Sequence, residues 1–362
     1  MRTILTSIMK HHGPPTSFLV MSRRPSDHSR VTLHAVATRA GVSAMTVSNV
    51  INGTGRVSAD TRERVLSAIG ELGYVPNQSA RRLTGAGVTC VGLICADVDS
   101  VFVEMTLAAV AVVAAECGVQ LQIRSAADPS LEATIDVARD LVGKGAQALM
   151  LLPPYAEALG QDPRVAALDV PIAAIATGHA LPYIATIRID NRSAAKSMTE
   201  LVIAHGRRRI AVLSGPLHHS DSVARVEGYR DALREHALPI DPALCIECDF
   251  TFQSGLVAAQ QLLSLENRPD AIIAGNDDMA AAVLWIAHHS GLSIPGDLSV
   301  TGFDDTVLAT RVWPPLTTVR QPVRVMAAAA MEYLSGSVRH PQSGPVPLDT
   351  VIPFEMIERG SV

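Results

Sequence analysis

The stretch from Val31 to Asn52, VTLHAVATRAGVSAMTVSNVIN, constrains the N-terminal part of this chain more tightly than any other. Apolar residues at Val36, Ala40, Val42, Val47 and Val50 frame a helix, a turn and a second helix. Thr32 and Ser43 stand where N-caps belong, Ala37 lets two helices cross closely, and Gly41 supplies a turn conformation that a side chain resists. A third helix is expected from its cap Ser58 to Leu72, buried through Val65, Leu66 and Ile69 and ended by Gly73. The spacing Ala37, Gly41, Val47 is that of a helix-turn-helix, whose second helix enters the major groove of DNA. Its outward residues Ala44, Met45 and Asn49 are candidates for base edges, and Thr46 and Ser48 for phosphates.

Charge supports that reading. Residues 1–90 hold 11 Lys and Arg against 4 Asp and Glu, a net of +7, so the remainder holds 19 against 31, a net of −12. A basic head suits a phosphate backbone; an acidic body has no reason to bind one. The 362 residues suffice for two or three domains, and with 48% apolar, 18% charged and 4% aromatic residues the cores are expected to be of Ala, Val, Leu and Ile. The longest uncharged stretch, Val170 to Ile187, approaches membrane-span length but is interrupted by Pro171, Gly178, His179 and Pro182, so no membrane association is expected. Met1 to Arg30 lacks the apolar run of a secretory signal, so a cytoplasmic location is expected. Met21, ten residues before Val31, is expected as an alternative start of translation, and residues 1–30 as a disordered extension. Of the five cysteines, Cys90, Cys95 and Cys117 lie in apolar runs, and Cys245 and Cys248 form a lone CxxC without a second ligand pair, so no metal site and no cofactor are expected.

After Tyr74-Val75-Pro76 the segment NQSARRLTGAG has helical potential but too small an apolar face to fold alone, and reads as a hinge. From Val88 the pattern changes to short apolar runs alternating with amphipathic helices, several ending at a glycine: Gly118, Gly145, Gly206 and Gly291. Strands are expected at 88–96, 119–125, 146–152, 171–176, 210–214, 271–274 and 298–303, which implies an α/β body of doubly wound parallel sheets in two lobes with a cleft between them. Arg225 and Asp277, a charged fork and a carboxylate at strand-to-helix turns, are the best ligand candidates. No GxxxxGK[ST], HExxH or GxSxG is present, so no enzyme is expected.

The segment 31–52, followed by RVSADTRERVLSAIGELGYVPNQSARRL, resembles the headpiece and hinge of the lactose-repressor (LacI/GalR) family of bacterial transcription regulators. The resemblance extends over about residues 31–356 through Gly215-Pro216, Arg225 to Tyr229, Gly275 to Ala280, Gly302 to Asp305 and Pro315 to Val319. Two positions depart from the family pattern: Ala35 stands where Asp is usual, and Asn49 where Arg is common. The resemblance implies a headpiece at 31–76, a hinge helix and linker at 77–87, and a two-lobed effector-binding and dimerisation domain at 88–356, related to periplasmic binding proteins. Lobe 1 is expected at about 88–190 and 295–322, lobe 2 at about 191–294 and 323–356. It further implies a homodimer on double-stranded operator DNA, released or engaged through a small sugar-like effector. The implied DNA contacts add Thr32, Ser43, Asn52, Arg56 and Ser58 in the headpiece, and Asn77, Arg81, Arg82 and Leu83 in the hinge, with Leu83 wedged into the minor groove. The implied effector contacts are Phe102, Asp190, His219, Asp221, Arg225, Phe250 and Asp277, the two aromatics stacking on a sugar or base face.

Overall fold

The computed structural model describes residues 32–52, 57–72, 89–96, 100–339 and 348–362. The extension 1–30, Met21, Arg56 and the expected hinge with Asn77, Arg81, Arg82 and Leu83 lie outside the described residues, as does the side chain of Asn52. The chain forms two compact units, divided between Ala86 and Gly87.

In the first unit, helices α1 (Leu33–Ala40), α2 (Ala44–Asn52) and α3 (Ala59–Leu72) pack on one another. Each start is capped by a hydroxyl: Thr32 Oγ1 accepts from Ala35 N, Ser43 Oγ from Thr46 N, and Ser58 Oγ from Thr61 N. Gly41 ends α1 at φ 65°, a left-handed conformation, and Arg64 of α3 donates to the Ala40 carbonyl at 2.6 Å, tying the third helix to the turn. The small core holds Val36, Ala37, Ala40, Val47, Val50, Val65 and Ala68. Leu66, expected in that core, is 55% exposed; Ala68, three residues after Val65 on the same face of α3, is buried instead.

The second unit has two parallel sheets. The first lobe's sheet runs β11 (Asp349–Val351), β5 (Ala185–Arg188), β4 (Ile172–Ile175), β3 (Ala148–Leu151), β1 (Cys90–Ala96), β2 (Gln120–Ala126). Helices α4 (Val101–Glu116) and α11 (Val323–Arg339) pack on one face, α5 (Leu131–Gly143) and α6 (Tyr155–Gly160) on the other. The second lobe's sheet runs β7 (Cys245–Glu247), β6 (Ile210–Ser214), β8 (Ala271–Ala274), β9 (Ser299–Thr301). It carries α7 (Asn191–Ala204) and α8 (Ser220–Glu235) on one side, α9 (Phe252–Leu263) and α10 (Asp277–His289) on the other. Gly118, Gly145, Gly206 and Gly291 all take positive φ just after a helix, as their sequence positions predict. The uncharged stretch 170–187 supplies β4 and part of β5, and no helix among the described residues is long and apolar enough to cross a membrane.

The lobe boundaries differ from expectation. The segment 295–322, expected in lobe 1, places β9 in the second lobe's sheet, whereas 323–356, expected in lobe 2, gives α11 and β11 to the first lobe. The reason lies in a third small sheet: β10 (Thr318–Arg320) pairs antiparallel with β12 (Glu355–Ile357). The chain thus passes between the lobes three times among the described residues: after β5, after β10 and after β11. It ends in the second lobe, where the Ser361 hydroxyl donates to Val300 O.

Candidate functional site

On the second helix of the first unit, Met45 is 71% exposed, Ala44, Thr46, Ser48 and Asn49 are half-buried, and Val47 and Val50 are in the core. Ser43 and Thr46 hydroxyls lie 2.9 Å apart at the helix start. A helix that presents its N-terminal turn and rests on an apolar core has the form needed to read a major groove.

In the second unit a cavity of about 260 Å³ opens between the lobes. Its walls come from the C-terminal ends of the strands in both sheets: Ala96 at the end of β1, Ala127 after β2, Leu152 after β3, Ala176 after β4, Pro216 after β6, Asp249 and Phe250 after β7, and Asn276 after β8. Open parallel sheets bind ligands at this edge, where backbone groups and helix N-termini converge. Ala176, Phe250 and Asp304, all on the wall, have φ of 66°, 66° and 102°, conformations that side chains resist and that surrounding contacts must hold. One such contact is the Asn276 amide, which donates to Phe250 O at 2.8 Å while its carbonyl oxygen caps α10 through Met279 N.

Arg225 is the cavity's cation. Its Nε donates to Asn191 Oδ1 at 2.9 Å and Nη1 to Gly275 O at 2.5 Å; Nη2 lies 3.1 Å from Asp221 Oδ2 and 3.9 Å from Asp304 Oδ1. The guanidinium also stacks over Phe303, 3.8 Å from the ring centroid. Burial pushes the Asp304 carboxyl up to about 6, against the pull of Arg225 and of Gln321, which donates to Oδ1 at 2.7 Å. Burial lowers the His219 imidazole, so the ring that meets Phe250 edge-on is neutral near pH 7. Asp221 Oδ1 is buried and accepts no hydrogen bond, with His219 Nδ1 3.8 Å away.

Beside the cavity the lobes touch. The Ser220 hydroxyl at the start of α8 donates to Glu157 Oε1 of α6 and accepts from Gly178 N at 2.7 Å. A Cβ on Gly178 would sit 2.0 Å from Ser220 O, so only glycine permits this approach.

Residues 32–77 match the family described as bacterial regulatory proteins, lacI family, and residues 199–362 match the periplasmic binding protein-like domain. Over 84% of this chain and 92% of the relative's length, the sequence is 34% identical to catabolite control protein A of Priestia megaterium. The chain belongs to the LacI family. Its relatives include the transcriptional regulator CelR of Thermobifida fusca, 34% identical over 86% of this chain and 94% of that protein, and the lactose operon repressor of Escherichia coli, 29% identical over 91% and 90%. Among solved structures, a CelR–cellobiose complex aligns with a TM-score of 0.67 at 30% identity, covering 92% of this chain and 100% of that one. The lac repressor dimer bound to operator and an anti-inducer aligns at 0.75 and 28% identity, covering 92% and 99%. This LacI-family chain is therefore a ligand-responsive, DNA-binding transcriptional regulator and not an enzyme.

Of the effector contacts that the LacI resemblance implies, Phe102, His219, Asp221, Arg225 and Phe250 meet on the cavity wall, and two do not. Asp277 is fully buried behind it: Oδ2 accepts from Thr306 N at 2.7 Å and from the Thr306 hydroxyl, and Oδ1 from the Thr318 hydroxyl at 2.7 Å. As the first residue of α10 it points toward β9 and β10, while the N-cap Asn276 takes the wall. Asp190 caps α7, accepting from Ser193 N and its hydroxyl, on a wide open groove rather than in the cavity. Sequence reasoning also passed over Asn191, Asn276 and Asp304. The first is the residue after the capping Asp190, and the others sit inside motifs already noted, Gly275 to Ala280 and Gly302 to Asp305, so the signal was present without a direction for each side chain.

Proposed function

We propose that this regulator is a cytoplasmic repressor which holds a near-palindromic operator as a homodimer and is switched by a sugar or sugar derivative in the inter-lobe cavity. The observation that carries the reading is the cavity itself: strand ends of both lobes converge on Arg225, Asp221, Asn276 and two aromatic rings, a set suited to ring stacking and hydroxyl recognition. The CelR–cellobiose complex, at 30% identity, supports a sugar as ligand class. Ligand in this position bridges both lobes and so favours one relative arrangement of them over another.

On DNA, Ala44, Met45 and Asn49 face base edges; Thr32, Ser43, Thr46, Ser48, Asn52, Arg56 and Ser58 face the backbone; and Asn77, Arg81, Arg82 and Leu83 form the hinge contacts. The basic balance of residues 1–90 supports this assignment. The homodimer finds support in α9 and α10, which leave Phe252, Val257 and Trp285 at 40%, 62% and 48% exposure, apolar surface that a second copy would cover. The test is selection of operators from randomised DNA with the full chain, followed by anisotropy titrations with and without a panel of sugars. At least one sugar should change operator affinity by ~10-fold or more, within the usual 1–3 kcal/mol of allosteric coupling. A selected operator whose affinity responds to no sugar sinks the effector assignment.

A further inference from the structure

Glu157 of α6 stands where the first lobe meets the second, and it is 8% exposed. Its Oε1 accepts from the Ser220 hydroxyl and, at 3.4 Å, from the Ser220 amide, at the first residue of α8 in the other lobe. The same hydroxyl accepts from Gly178 N, so one serine is clasped by a carboxyl and an amide of the opposing lobe. Glu157 Oε2 is buried too, and among the described residues no donor reaches it. An ionised carboxylate held in this way bears the full cost of desolvation on one oxygen, whereas a neutral carboxyl bears far less. Among the described residues no cation pairs with Glu157. Asp221, next along α8, adds a repelling carboxylate, and Arg225 is engaged by that aspartate at 3.1 Å. In the open groove around Glu157, Arg188 is paired with Asp349, and Arg192 with Asp231 and Glu227. Asp128 and Asp190 there accept from Ser130 N and Ser193 N, His179 Nδ1 lies 2.8 Å from Ala180 O, and His218 meets His219 edge-on. Behind α6, Glu132 of α5 is paired with Arg164. Burial accordingly raises the Glu157 carboxyl above its ordinary value of 4.5, against the Ser220 hydrogen bond and with the help of Asp221.

We propose that Glu157 is a proton-operated latch: the lobes close on this seam with its carboxyl protonated, and ionisation of that carboxyl parts them there. When the seam opens, water reaches both oxygens and the group returns toward its ordinary range. The closed seam thus binds the proton more tightly than the open one. It is favoured as pH falls, and this contribution is lost as pH rises from about 4.5 through the raised value. One proton changes the closed-to-open ratio by at most about tenfold per pH unit. The seam lies beside the cavity, so any occupant that needs the closed arrangement is held more tightly in acid, whatever its chemical class.

Hydrogen exchange of the full chain, read by mass spectrometry between about pH 5 and 8 on the segments holding Gly178 and Ser220, tests this without any ligand. At each pH the wild type is compared with Glu157→Gln, which keeps an oxygen for Ser220 but does not ionise. Intrinsic exchange chemistry and every other titrating group are then common to both chains. Protection of these segments in the wild type, relative to the variant, should fall as pH rises, by up to about tenfold per pH unit, while β8 in the second lobe's core stays equal. Equal protection of the seam in both chains at every pH overturns the proposal. Should Glu157→Gln fail to fold, Ser220→Ala carries the test. It breaks the contacts to Glu157 and Gly178 together and should leave the seam poorly protected at every pH; protection that still falls with pH as in the wild type overturns the proposal.

Discussion

Arg225 sits 8% exposed among Asp221, Asp304, Asn191 and a backbone carbonyl, so its loss leaves two buried carboxylates without their cation. Arg225→Ala should cost about 3–5 kcal/mol of stability, as breaking a buried pair does, and abolish ligand binding. Urea denaturation reads the first effect and calorimetry the second; a variant of wild-type stability would mean that the pair is not closed in solution. Arg225→Lys restores charge but not the fork that spans Asn191 and Asp221, so stability should recover more than affinity. Asp277 makes a different prediction. Burial, aided by the charge of Asp304, pushes its carboxyl up to about 8, while an unfolded aspartate releases its proton near the ordinary value of 3.8. Between those values the native state holds more protons than the unfolded one, so this group's contribution to stability falls as pH rises from about 4 to about 8. Asparagine can still accept from Thr306 N and donate to the Thr318 hydroxyl without ionising. Melting temperatures should decline less from pH 6 to 8 in Asp277→Asn than in the wild type; parallel declines would show that Asp277 is ionised throughout.

Helices and strands differ in how openly the sequence declares them. The caps Thr32, Ser43 and Ser58 and the glycine after α1 were legible because each solves a local hydrogen-bonding or φ problem. Strands β6 and β8 were legible as buried apolar runs, whereas β7, β10, β11 and β12 have three residues each and no such run. The lobe of α11 was hidden for another reason: its apolar stripe fits either sheet, and only the crossing after β10 decides. Asp277 and Asn276 were confused because one residue along a helix turns a side chain by ~100°, which residue types alone do not reveal. Two predictions belong to elements. On α2, asparagine can match adenine but lacks the guanidinium fork that reads guanine, so operators selected by the wild type should show A·T or weak discrimination at the pair facing Asn49, and Asn49→Arg should shift that pair toward G·C. A strong guanine preference of the wild type would refute the register. At the start of α8, Gly178→Ala puts a methyl into Ser220 O and must part α8 from the turn after β4. Small-angle scattering should show a larger radius of gyration, with weaker ligand binding; unchanged scattering would mean that the lobes do not meet there.

For the molecule as a whole, the net charge of −5 conceals a basic head and an acidic body. Operator affinity should therefore fall steeply with salt, and removal of residues 1–86, the first compact unit, should abolish it while ligand binding persists. Anisotropy across a salt series and calorimetry on the truncated chain check both; affinity flat with salt would remove the electrostatic basis of the assignment. The chain's threefold passage between the lobes has a mechanical consequence. Two bodies joined by one strand retain nearly every rigid-body freedom, but three crossings, two of them stitched by the β10–β12 ladder and by Arg320 to Asp305 and Glu355, oppose sliding and twisting. The freedom such crossings leave most open is rotation of one lobe on the other, a hinge. Every ligand that enters is then converted into the same variable, an angle, and chemically different occupants become larger or smaller values on one dial.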